Sequence, residues 1–436
     1  MTSIAVLGCG YLGAVHAACM AKLGHRVVGF DVDAGKIEKL AAGEAPFYEP
    51  GLETLLPEVL ATGLLEFTSD PARLAGSDVA FVCVGTPQRP GELAADTQYV
   101  NAAVQLLVEH LTEPALVVGK STVPVGTAKG IAAVLKDKAP HLNLAWNPEF
   151  LREGYAIEDT LTPDRLVFGI RDAESAATLR EVYATPIAAG TPVVEMDFET
   201  AELVKVSANA FLATKISFIN AMAEVCETTG ADVSLLANAI GYDDRIGHKF
   251  LGAGLGFGGG CLPKDIRAFM ARAGELGVDQ ALSFLKEVDA INLRRRSRMV
   301  DLARAECGGS FVGHKVAVLG ASFKPLSDDI RDSPALDVAQ QIHEQGGEVV
   351  VTDPQALENA RRRNPDLTYA DTAMEACQDA DVVLLLTQWP EYRYVDPAEL
   401  GSVVRQRRIL DGRTALDPAA WRAAGWAYRA LGRPRA

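Results

Sequence analysis

A glycine-rich hexapeptide between an apolar run and a helical pattern is the strongest constraint on the fold. Gly8-Cys9-Gly10-Tyr11-Leu12-Gly13 matches G-x-G-x-x-G and directly follows the apolar residues 4–7. In this context Gly8 permits a tight turn, Gly10 lets the backbone approach a pyrophosphate, and Gly13 allows close packing of helix on strand. The helix N-terminus then faces the phosphates. The motif therefore predicts a βαβ unit that binds a dinucleotide.

A carboxylate stands at the end of the next apolar run. Asp31 closes the strand pattern at residues 27–31, about 20 residues after the glycines, where an acid holds a ribose hydroxyl of the cofactor. A carboxylate there repels a 2′-phosphate, so NAD is favoured over NADP. The alternative is a purely structural glycine turn, but strand, helix and Asp31 in register favour NAD binding.

The chain alternates strand and helix patterns in two separate regions. Short apolar runs at 4–7, 27–31, 78–84, 115–119, 142–146 and 166–169 are separated by amphipathic stretches such as 13–24 and 100–111. A second alternating region begins at Lys315, with strand patterns at 316–319, 348–352, 381–387 and 409–410. Alternation of this kind predicts parallel sheets covered by helices.

A helical stretch connects the two alternating regions. Residues 199–229 are rich in alanine and contain no proline or glycine, and Gly230 is placed to end the helix. We therefore expect an α/β protein with two Rossmann-like, doubly wound domains joined by a long central helix and a helical middle domain. The expected domains are 1–198, which binds NAD, 199–306, which is helical and carries the cysteine loop described below, and 307–436, a second nucleotide-binding domain.

Charge and composition exclude several classes of function. The net charge of −15 argues against nucleic acid as a partner, because a phosphate backbone requires a basic face. No apolar run approaches the roughly 20 residues of a membrane span, and no basic leader precedes the first strand. We expect a cytoplasmic protein without a membrane partner. The seven cysteines are scattered without metal-ligand spacing, so neither a metal site nor disulfides are expected.

One cysteine differs from the others in its surroundings. Residues 256–265 read Gly-Phe-Gly-Gly-Gly-Cys-Leu-Pro-Lys-Asp. The glycines allow close approach of a ligand and expose the thiol of Cys261. A helix begins near Asp265, and a helix N-terminus stabilises a thiolate. Lys264 either assists or points to solvent. Most cysteines are buried and structural, but this loop favours a reactive thiol.

Further candidates follow strands or share a helix face. Thr86 and Thr122 lie just after strand patterns, the second within Lys120-Ser121-Thr122-Val123-Pro124, where they contact a ligand or cap local backbone. Lys205 and Asn209 are four residues apart on the long helix, so they form either a site or a solvated stripe.

Two carboxylates close another strand pattern. Glu149 and Glu153 lie within residues 147–154, after the strand pattern at 142–146. At the carboxyl end of a strand they are candidates for ligand binding or proton transfer.

These motifs occur in the order found in the UDP-glucose/GDP-mannose dehydrogenase family, which the chain resembles over essentially its whole length. The resemblance rests on the glycine hexapeptide, residues 121–127, residues 147–154, the helix with Lys205 and Asn209, the Cys261 loop, and residues 323–331 beginning Phe323-Lys324-Pro325. Of these, the cysteine loop is the most specific.

The resemblance implies a double oxidation of a sugar through a cysteine thioester. The implied nucleophile is Cys261. Lys205 and Asn209 are implied to hold the oxyanion, and Lys205 is also the proposed base. The other implied catalytic residues are Asp265, which helps activate water, Glu149, which acts as an acid/base group, and Thr122, which positions water.

The resemblance also implies residues that bind cofactor and substrate. Those for NAD are Gly8, Gly10, Tyr11, Leu12, Gly13, Asp31, Lys36, Thr86, Thr122, Glu153, Lys264 and Arg331. Those for a UDP-sugar are Glu149, Phe150, Leu151, Lys205, Asn209, Arg245, Phe250, Phe257, Gly258, Cys261, Phe323, Lys324 and Arg413. A homodimer that pairs through the central helix is implied, with Arg245 reaching the neighbouring subunit.

The expected substrate is UDP-glucose. Arg245-Ile246-Gly247, Glu153-Gly154 and Phe323-Lys324-Pro325 resemble the UDP-glucose branch of the family. GDP-mannose is the alternative, because Leu262 after the cysteine also occurs in that branch. Gly260 replaces the histidine of the N-acetylhexosamine branch, so UDP-N-acetylhexosamines rank third.

Two alternatives to the double oxidation belong to other classes. A single-step NAD-dependent dehydrogenase has no need of Cys261 in its glycine-rich loop. A catalytically inactive NAD-binding scaffold has no reason to keep Cys261, Lys205, Asn209 and Asp265 together.

Overall fold

The computed structural model describes residues 1–434 and divides into two units, each formed from two segments of the chain. The first unit comprises Met1–Ala208 and Arg267–Val278, and the second comprises Asn209–Ile266 and Asp279–Ala436. Within residues 1–434, no helix is long and apolar enough to cross a membrane.

An eight-stranded sheet forms the centre of the first unit, in the order β3-β2-β1-β4-β5-β6-β7-β8. The first six strands follow the order 3-2-1-4-5-6 and are parallel. Five of them coincide with predicted apolar runs, whereas β3 was not predicted. The last two strands pair in parallel with each other but antiparallel to β6, which the sequence analysis did not predict. The strands are Ser3–Leu7 (β1), Arg26–Phe30 (β2), Leu65–Thr68 (β3), Val79–Val82 (β4), Ala115–Gly119 (β5), Leu142–Trp146 (β6), Leu166–Gly169 (β7) and Val193–Met196 (β8).

Helices cover both faces of this sheet, so its central strands are apolar along their whole length. In β1, Ile4 and Val6 belong to one buried cluster, and Ala5 and Leu7 belong to the cluster on the opposite face. The covering helices are Tyr11–Lys22 (α1), Ala34–Ala41 (α2), Leu52–Ala61 (α3), Gln98–His110 (α4), Thr127–Lys138 (α5), Ala156–Leu161 (α6), Ala173–Val182 (α7) and Ala184–Ala188 (α8). The first helix begins two residues before the predicted start at Gly13, because the glycine turn is complete at Gly10.

A long helix follows the first sheet, as predicted. It spans Phe198–Thr229 (α9) and stops before Gly230, whose φ of +81° suits a residue without a side chain. The remaining helices of the middle of the chain are Val233–Gly241 (α10), Leu262–Glu275 (α11) and Phe284–Glu306 (α12). Short 3₁₀ turns occur at Pro71–Leu74 and Asp279–Leu282.

The second unit contains a six-stranded parallel sheet in the order β11-β10-β9-β12-β13-β14. This is again the 3-2-1-4-5-6 arrangement, so the predicted fold class is confirmed. The strands are Lys315–Leu319 (β9), Glu348–Thr352 (β10), Thr368–Tyr369 (β11), Val382–Leu385 (β12), Arg408–Asp411 (β13) and Ala427–Ala430 (β14). The helices are Pro334–Glu344 (α13), Leu357–Arg363 (α14), Ala373–Cys377 (α15), Pro390–Arg393 (α16), Pro397–Leu400 (α17) and Pro418–Ala423 (α18).

The two sheets differ at the acid that follows their second strand. Asp353, which follows β10, is 2% exposed. Its carboxylate accepts hydrogen bonds from the backbone of Ala321 and Ser322 and from the indole of Trp389. The Asp353 carboxylate is thus bonded by a tryptophan indole as well as by backbone N–H groups, whereas Asp31 in the first sheet is bonded by backbone N–H groups and Lys36.

Candidate functional site

The glycine turn after β1 has the geometry that a dinucleotide requires. Gly8 has a φ of +92°, and its N–H donates to the carbonyl of Phe30 over 2.8 Å. A Cβ at Gly13 would lie 1.8 Å from the Gly8 oxygen, whereas a Cβ at Gly10 would meet no atom within 4 Å. Gly8 and Gly13 are therefore fixed by the turn and its packing, and Gly10 leaves open space at the N-terminus of α1, where a pyrophosphate fits.

The carboxylate of Asp31 is held in a fixed orientation beside this turn. It is 8% exposed and accepts hydrogen bonds from Cys9 N at 2.8 Å and Asp33 N at 3.0 Å. Lys36, expected near the adenosine end of the cofactor, donates to the same carboxylate at 2.9 Å. Asp31 is thus preorganised to accept hydrogen bonds from a ribose, and these residues fit NAD.

A buried acid that the sequence analysis missed connects the glycine helix to the loop carrying Glu153. Glu49 is 2% exposed and accepts hydrogen bonds from the N–H groups of Gly154 and Ala156 at 2.6 and 2.7 Å. The Tyr11 hydroxyl also bonds to Glu49. Burial, reinforced by Glu49, raises the pKa of Tyr11, which therefore stays neutral. Glu49 fixes the half-buried Glu153 segment beside the expected cofactor-binding Tyr11.

The two predicted threonines lie on neighbouring strand ends and are linked directly. The Thr86 hydroxyl donates to the carbonyl of Thr122 over 2.7 Å, and Ser121 donates to the carbonyl of Val84 over the same distance. Thr86 is buried and committed to this local bond, whereas the side chain of Thr122 is half-buried. The local capping alternative thus describes Thr86, and Thr122 is better placed to contact a ligand.

Lys205 and Glu149 form a buried ion pair in the first unit. The Lys205 ammonium lies 2.9 Å from the Glu149 carboxylate, and the two side chains are 5% and 12% exposed. The ammonium also lies 5.5 Å from the centre of the Phe150 ring, and Leu151 N donates to Glu149 at 2.6 Å. A solvated stripe is therefore the wrong description of Lys205. The pair combines an amine and a carboxylate able to exchange a proton.

Cys261 is the exposed cysteine expected from its loop. Six other cysteines in residues 1–434 are buried, and burial raises the pKa of Cys19, Cys83 and Cys377 to about 12. Cys261 directly precedes Leu262, the first residue of α11, and its carbonyl accepts the N–H of Asp265 at 3.0 Å. Position at a helix N-terminus favours its thiolate.

A second buried polar group belongs to the same unit as Cys261. The Asn209 amide donates to the Asp265 carboxylate over 2.7 Å, and both residues are buried, at 8% and 3% exposure. Lys264 donates to the other oxygen of Asp265 at 2.5 Å. Asn209, like Lys205, is not part of a solvated stripe. Lys264 is turned toward the acid rather than left free in solvent.

The cysteine loop needs its glycines because neighbouring protein atoms leave no room for side chains. A Cβ at Gly256 would lie 2.2 Å from the Asn292 amide oxygen, one at Gly258 would lie 2.2 Å from Asp332 O, and one at Gly259 would lie 2.7 Å from the Phe323 ring. Asn292, missed by the sequence analysis, is fully buried and bonds to both N and O of Phe257 at 2.7 and 3.0 Å. The loop is thus held rigidly from behind.

Three predicted residues of the second unit surround this loop. Arg413 is half-buried and donates to the carbonyl oxygens of Leu386, Gly256 and Phe323 at 2.6, 2.8 and 3.3 Å. Arg331 pairs with Asp329 at 2.8 Å, and its side chain is 63% exposed. The Lys324 ammonium lies 5.5 Å from the Phe323 ring centre. Arg413 therefore supports the loop, and Arg331 and Lys324 are the more accessible cations.

Two predicted substrate residues lie apart from these contacts. The Arg245 side chain is 89% exposed and pairs with Asp243 at 2.7 Å. Phe250 is 40% exposed and has a φ of +64°. Large apolar side chains are also exposed on α9, where Phe211, Phe218 and Val225, at 67%, 50% and 52%, recur every seven residues.

The comparisons with known proteins agree with this geometry. Residues 2–187 match the NAD binding domain of the UDP-glucose/GDP-mannose dehydrogenase family, residues 199–294 match its central domain, and residues 317–418 match its UDP binding domain. The chain belongs to this family. The predictions of an NAD-dependent dehydrogenase and of NAD as its cofactor are thereby confirmed.

Relatives with similar sequences cover essentially the full chain. The UDP-glucose 6-dehydrogenase of Rhizobium meliloti (strain 1021) is 41% identical, with 99% of each chain covered. The UDP-glucose 6-dehydrogenase TuaD of Bacillus subtilis (strain 168) is 40% identical, covering 100% of this chain and 94% of its own. A UDP-glucose dehydrogenase structure from Pyrobaculum islandicum is 39% identical with a TM-score of 0.91, covering 99% and 98%.

Asp31→Asn is expected to weaken NAD binding. A hydrogen bond to a charged group contributes about 1.5–3 kcal/mol, so the KM for NAD should rise roughly 10- to 100-fold. The loss of negative charge should also reduce the preference for NAD over NADP. Steady-state kinetics with both cofactors measure the effect, and Glu38→Gln, an exposed acid on α2, is the matched control. An unchanged KM for NAD would remove Asp31 from the cofactor site.

Proposed function

We propose that the chain catalyses the NAD-dependent, four-electron oxidation of UDP-glucose to UDP-glucuronate through a thioester on Cys261. The observation that carries the proposal is the exposed Cys261 at the start of α11, in the same unit as the buried Asn209–Asp265 pair. Lys205, four residues before Asn209 on one continuous helix, pairs with Glu149. A nucleophile, an oxyanion donor and an acid/base pair are the groups that this reaction needs.

The first oxidation requires a base and a bound cofactor. When bound, NAD⁺ accepts a hydride in each of the two oxidations, which together remove four electrons. Lys205 takes the proton of the C6 hydroxyl, and Glu149, 2.9 Å from its ammonium, receives or stabilises that proton. The product of this step is an aldehyde at C6.

Covalent capture links the two oxidations. The Cys261 thiolate attacks the aldehyde carbon, a C–S bond forms, and the carbonyl oxygen becomes an oxyanion that Lys205 and Asn209 stabilise. After the second oxidation the carbon is a thioester. Water positioned by Thr122 and activated by Asp265 then attacks it. The C–S bond breaks, the thiolate leaves, and a carboxylate is released.

The substrate assignment rests on the relatives and on the second nucleotide-binding domain. The relatives at 39–41% identity over nearly their full lengths are named UDP-glucose dehydrogenases. In the second unit, Lys324 is a partly exposed cation suited to the diphosphate of a nucleotide sugar, and the exposed Arg331 remains the proposed NAD contact. GDP-mannose is the alternative substrate, because the family also includes GDP-mannose dehydrogenases.

We further propose a homodimer in which Arg245 acts on the substrate bound by the partner subunit. The seven-residue spacing of Phe211, Phe218 and Val225 places exposed apolar groups along one side of α9, and such a stripe favours a helix partner. Arg245 is 89% exposed, with Asp243 as an ion-pair partner, and is thus available to a neighbour. The boundaries 1–198, 199–306 and 307–436 remain our proposal for the domains.

The stoichiometry of NADH tests the reaction and the substrate together. UDP-glucose, GDP-mannose and UDP-N-acetylglucosamine are offered in parallel, and NADH is counted per sugar consumed. Two NADH per UDP-glucose, with little turnover of the others, is the expected result. Cys261→Ser should reduce the rate of complete oxidation by roughly 10³-fold or more, whereas Cys307→Ala, which alters a buried thiol, should leave it nearly unchanged.

One NADH per sugar would instead support a single-step dehydrogenase. A preference for GDP-mannose would leave the thioester mechanism intact but overturn the substrate assignment. Two oxidations at full rate by Cys261→Ser would contradict the thioester itself.

Complementation between two inactive variants tests the trans role of Arg245. Arg245→Ala and Cys261→Ser are each expected to be poorly active. If Arg245 acts across the dimer, mixed dimers contain one site with both Cys261 and the partner's intact arginine, so co-expression restores activity. In a random mixture about half of the dimers are heterodimers, and each heterodimer has one working site of its two. The expected rate is therefore about a quarter of the wild-type rate. No recovery in verified heterodimers would place Arg245 in its own subunit's site.

A further inference from the structure

A buried lysine that the reaction scheme does not use lies directly after β5. Lys120 is 6% exposed. Its ammonium donates to the Asn147 side-chain oxygen at 2.9 Å and to the Tyr183 hydroxyl at 3.2 Å, and it lies 5.6 and 5.8 Å from the ring centres of Phe81 and Tyr183. All of these partners are neutral. A buried ammonium without a bonded carboxylate is costly, so a purely structural position would favour an apolar side chain.

The segment that Lys120 holds leads directly to Glu149. Asn147 is 1% exposed, and its N–H donates to the carbonyl of Gly119 at 2.8 Å. Its side chain is fixed by Lys120 and Tyr183 on one side and donates to the carbonyl of Val167 at 3.0 Å on the other. Glu149 lies two residues further on and pairs with Lys205. Lys120 therefore anchors the backbone that presents the Glu149 carboxylate.

Several titratable groups face Lys120. Glu149 and Cys83 favour its protonated form, Lys205 opposes it, and on the α1 side His16 is held neutral because burial, aided by Lys120 and His25, depresses its pKa. Tyr183 is a buried neutral phenol. Burial is the largest influence and lowers the pKa of Lys120 from 10.5 to about 8. Lys120 bonds to Asn147, and Lys205 pairs with Glu149 two residues further on, so both ammonium groups contact the same short segment of the first unit.

We propose that Lys120 is a positioning residue for the oxidation: it fixes the Asn147–Glu149 segment, and its charge keeps Lys205 ready to lose a proton. The second part rests on the proposed role of Lys205 as the base. A nearby positive charge disfavours protonation of a second amine. Loss of the Lys120 charge therefore raises the pKa of Lys205, and the base is formed only at higher pH.

The test compares substitutions that separate charge from hydrogen bonding. Lys120→Gln keeps a donor for Asn147 and removes the charge, Lys120→Arg keeps the charge, and Tyr183→Phe removes one hydrogen bond without changing charge. The acid limb of the kcat/KM profile for UDP-glucose should move up by about half to one pH unit in Lys120→Gln. It should stay in place in the other two variants, and the KM for NAD should change little in all three.

Two outcomes would overturn the charge role. The acid limb of Lys120→Gln could match the wild type, or Tyr183→Phe could shift it equally, in which case Lys120 serves packing alone. If Lys120→Gln does not fold, Lys120→Met provides a neutral side chain of similar length for the same comparison.

A readout without substrate separates this inference from the proposed function. Between about pH 8 and 10.5 the unfolded lysine keeps its proton while the buried one has lost it, so the free energy of unfolding of the wild type should rise with pH relative to Lys120→Gln. Below pH 8 the difference should be constant. Urea unfolding across this range measures it. A flat difference would contradict the buried charge, whereas the expected rise without oxidation of UDP-glucose would sink only the proposed function.

Discussion

The accessibility of the Cys261 thiol depends on a loop whose glycines pack directly against neighbouring protein atoms. Asn292 occupies the space in which a Cβ of Gly256 would lie, and the Phe323 ring does the same for Gly259. Asn292 also bonds to both backbone groups of Phe257. Because the loop is fixed from behind by buried groups, the residue at its end, immediately before α11, is presented rather than buried. The chemistry proposed for the protein requires this arrangement.

Buried polar groups are used in pairs around the proposed chemistry. Lys205 is paired with Glu149, and Asn209 with Asp265, each at hydrogen-bond distance and largely shielded from solvent. Low exposure strengthens such interactions. Lys120 differs because its bonded partners are neutral, which leaves its charge to act on its neighbours. In the first unit, therefore, two amines contact the Asn147–Glu149 segment, and only Lys205 is paired there with a carboxylate.

The sequence was most informative where local patterns decide the structure. Five of the six parallel strands of the first sheet follow from apolar runs, and the end of α9 at Gly230 and the strand–turn–helix around Gly8 follow from glycines. The exception is β3, which was not predicted. The strand pair β7–β8 was not predicted to run against β6, because strand direction is set by long-range pairing that an apolar run does not encode.

The site residues likewise fall into those that a local motif predicts and those whose role depends on contacts distant in sequence. Asp31 and Cys261 stand out because of adjacent motifs, whereas Glu49 and Asn292 were missed because their partners lie 105 and 35 residues away in sequence. Isolated polar residues of this kind carry no local pattern. Lys120 offered one signal, a lysine immediately after a strand of five buried or half-buried residues, Ala115–Gly119.

The most direct test of the thioester account is to trap the covalent intermediate. The wild type and Asp265→Asn, in which hydrolysis should be slowed, are mixed with UDP-glucose and NAD, quenched in acid during turnover, digested and analysed by mass spectrometry. The account predicts a UDP-glucuronyl group on the peptide containing Cys261, dependent on both substrate and NAD and removed by hydroxylamine. Release of UDP-glucuronate by both proteins with the Cys261 peptide unmodified throughout would contradict it.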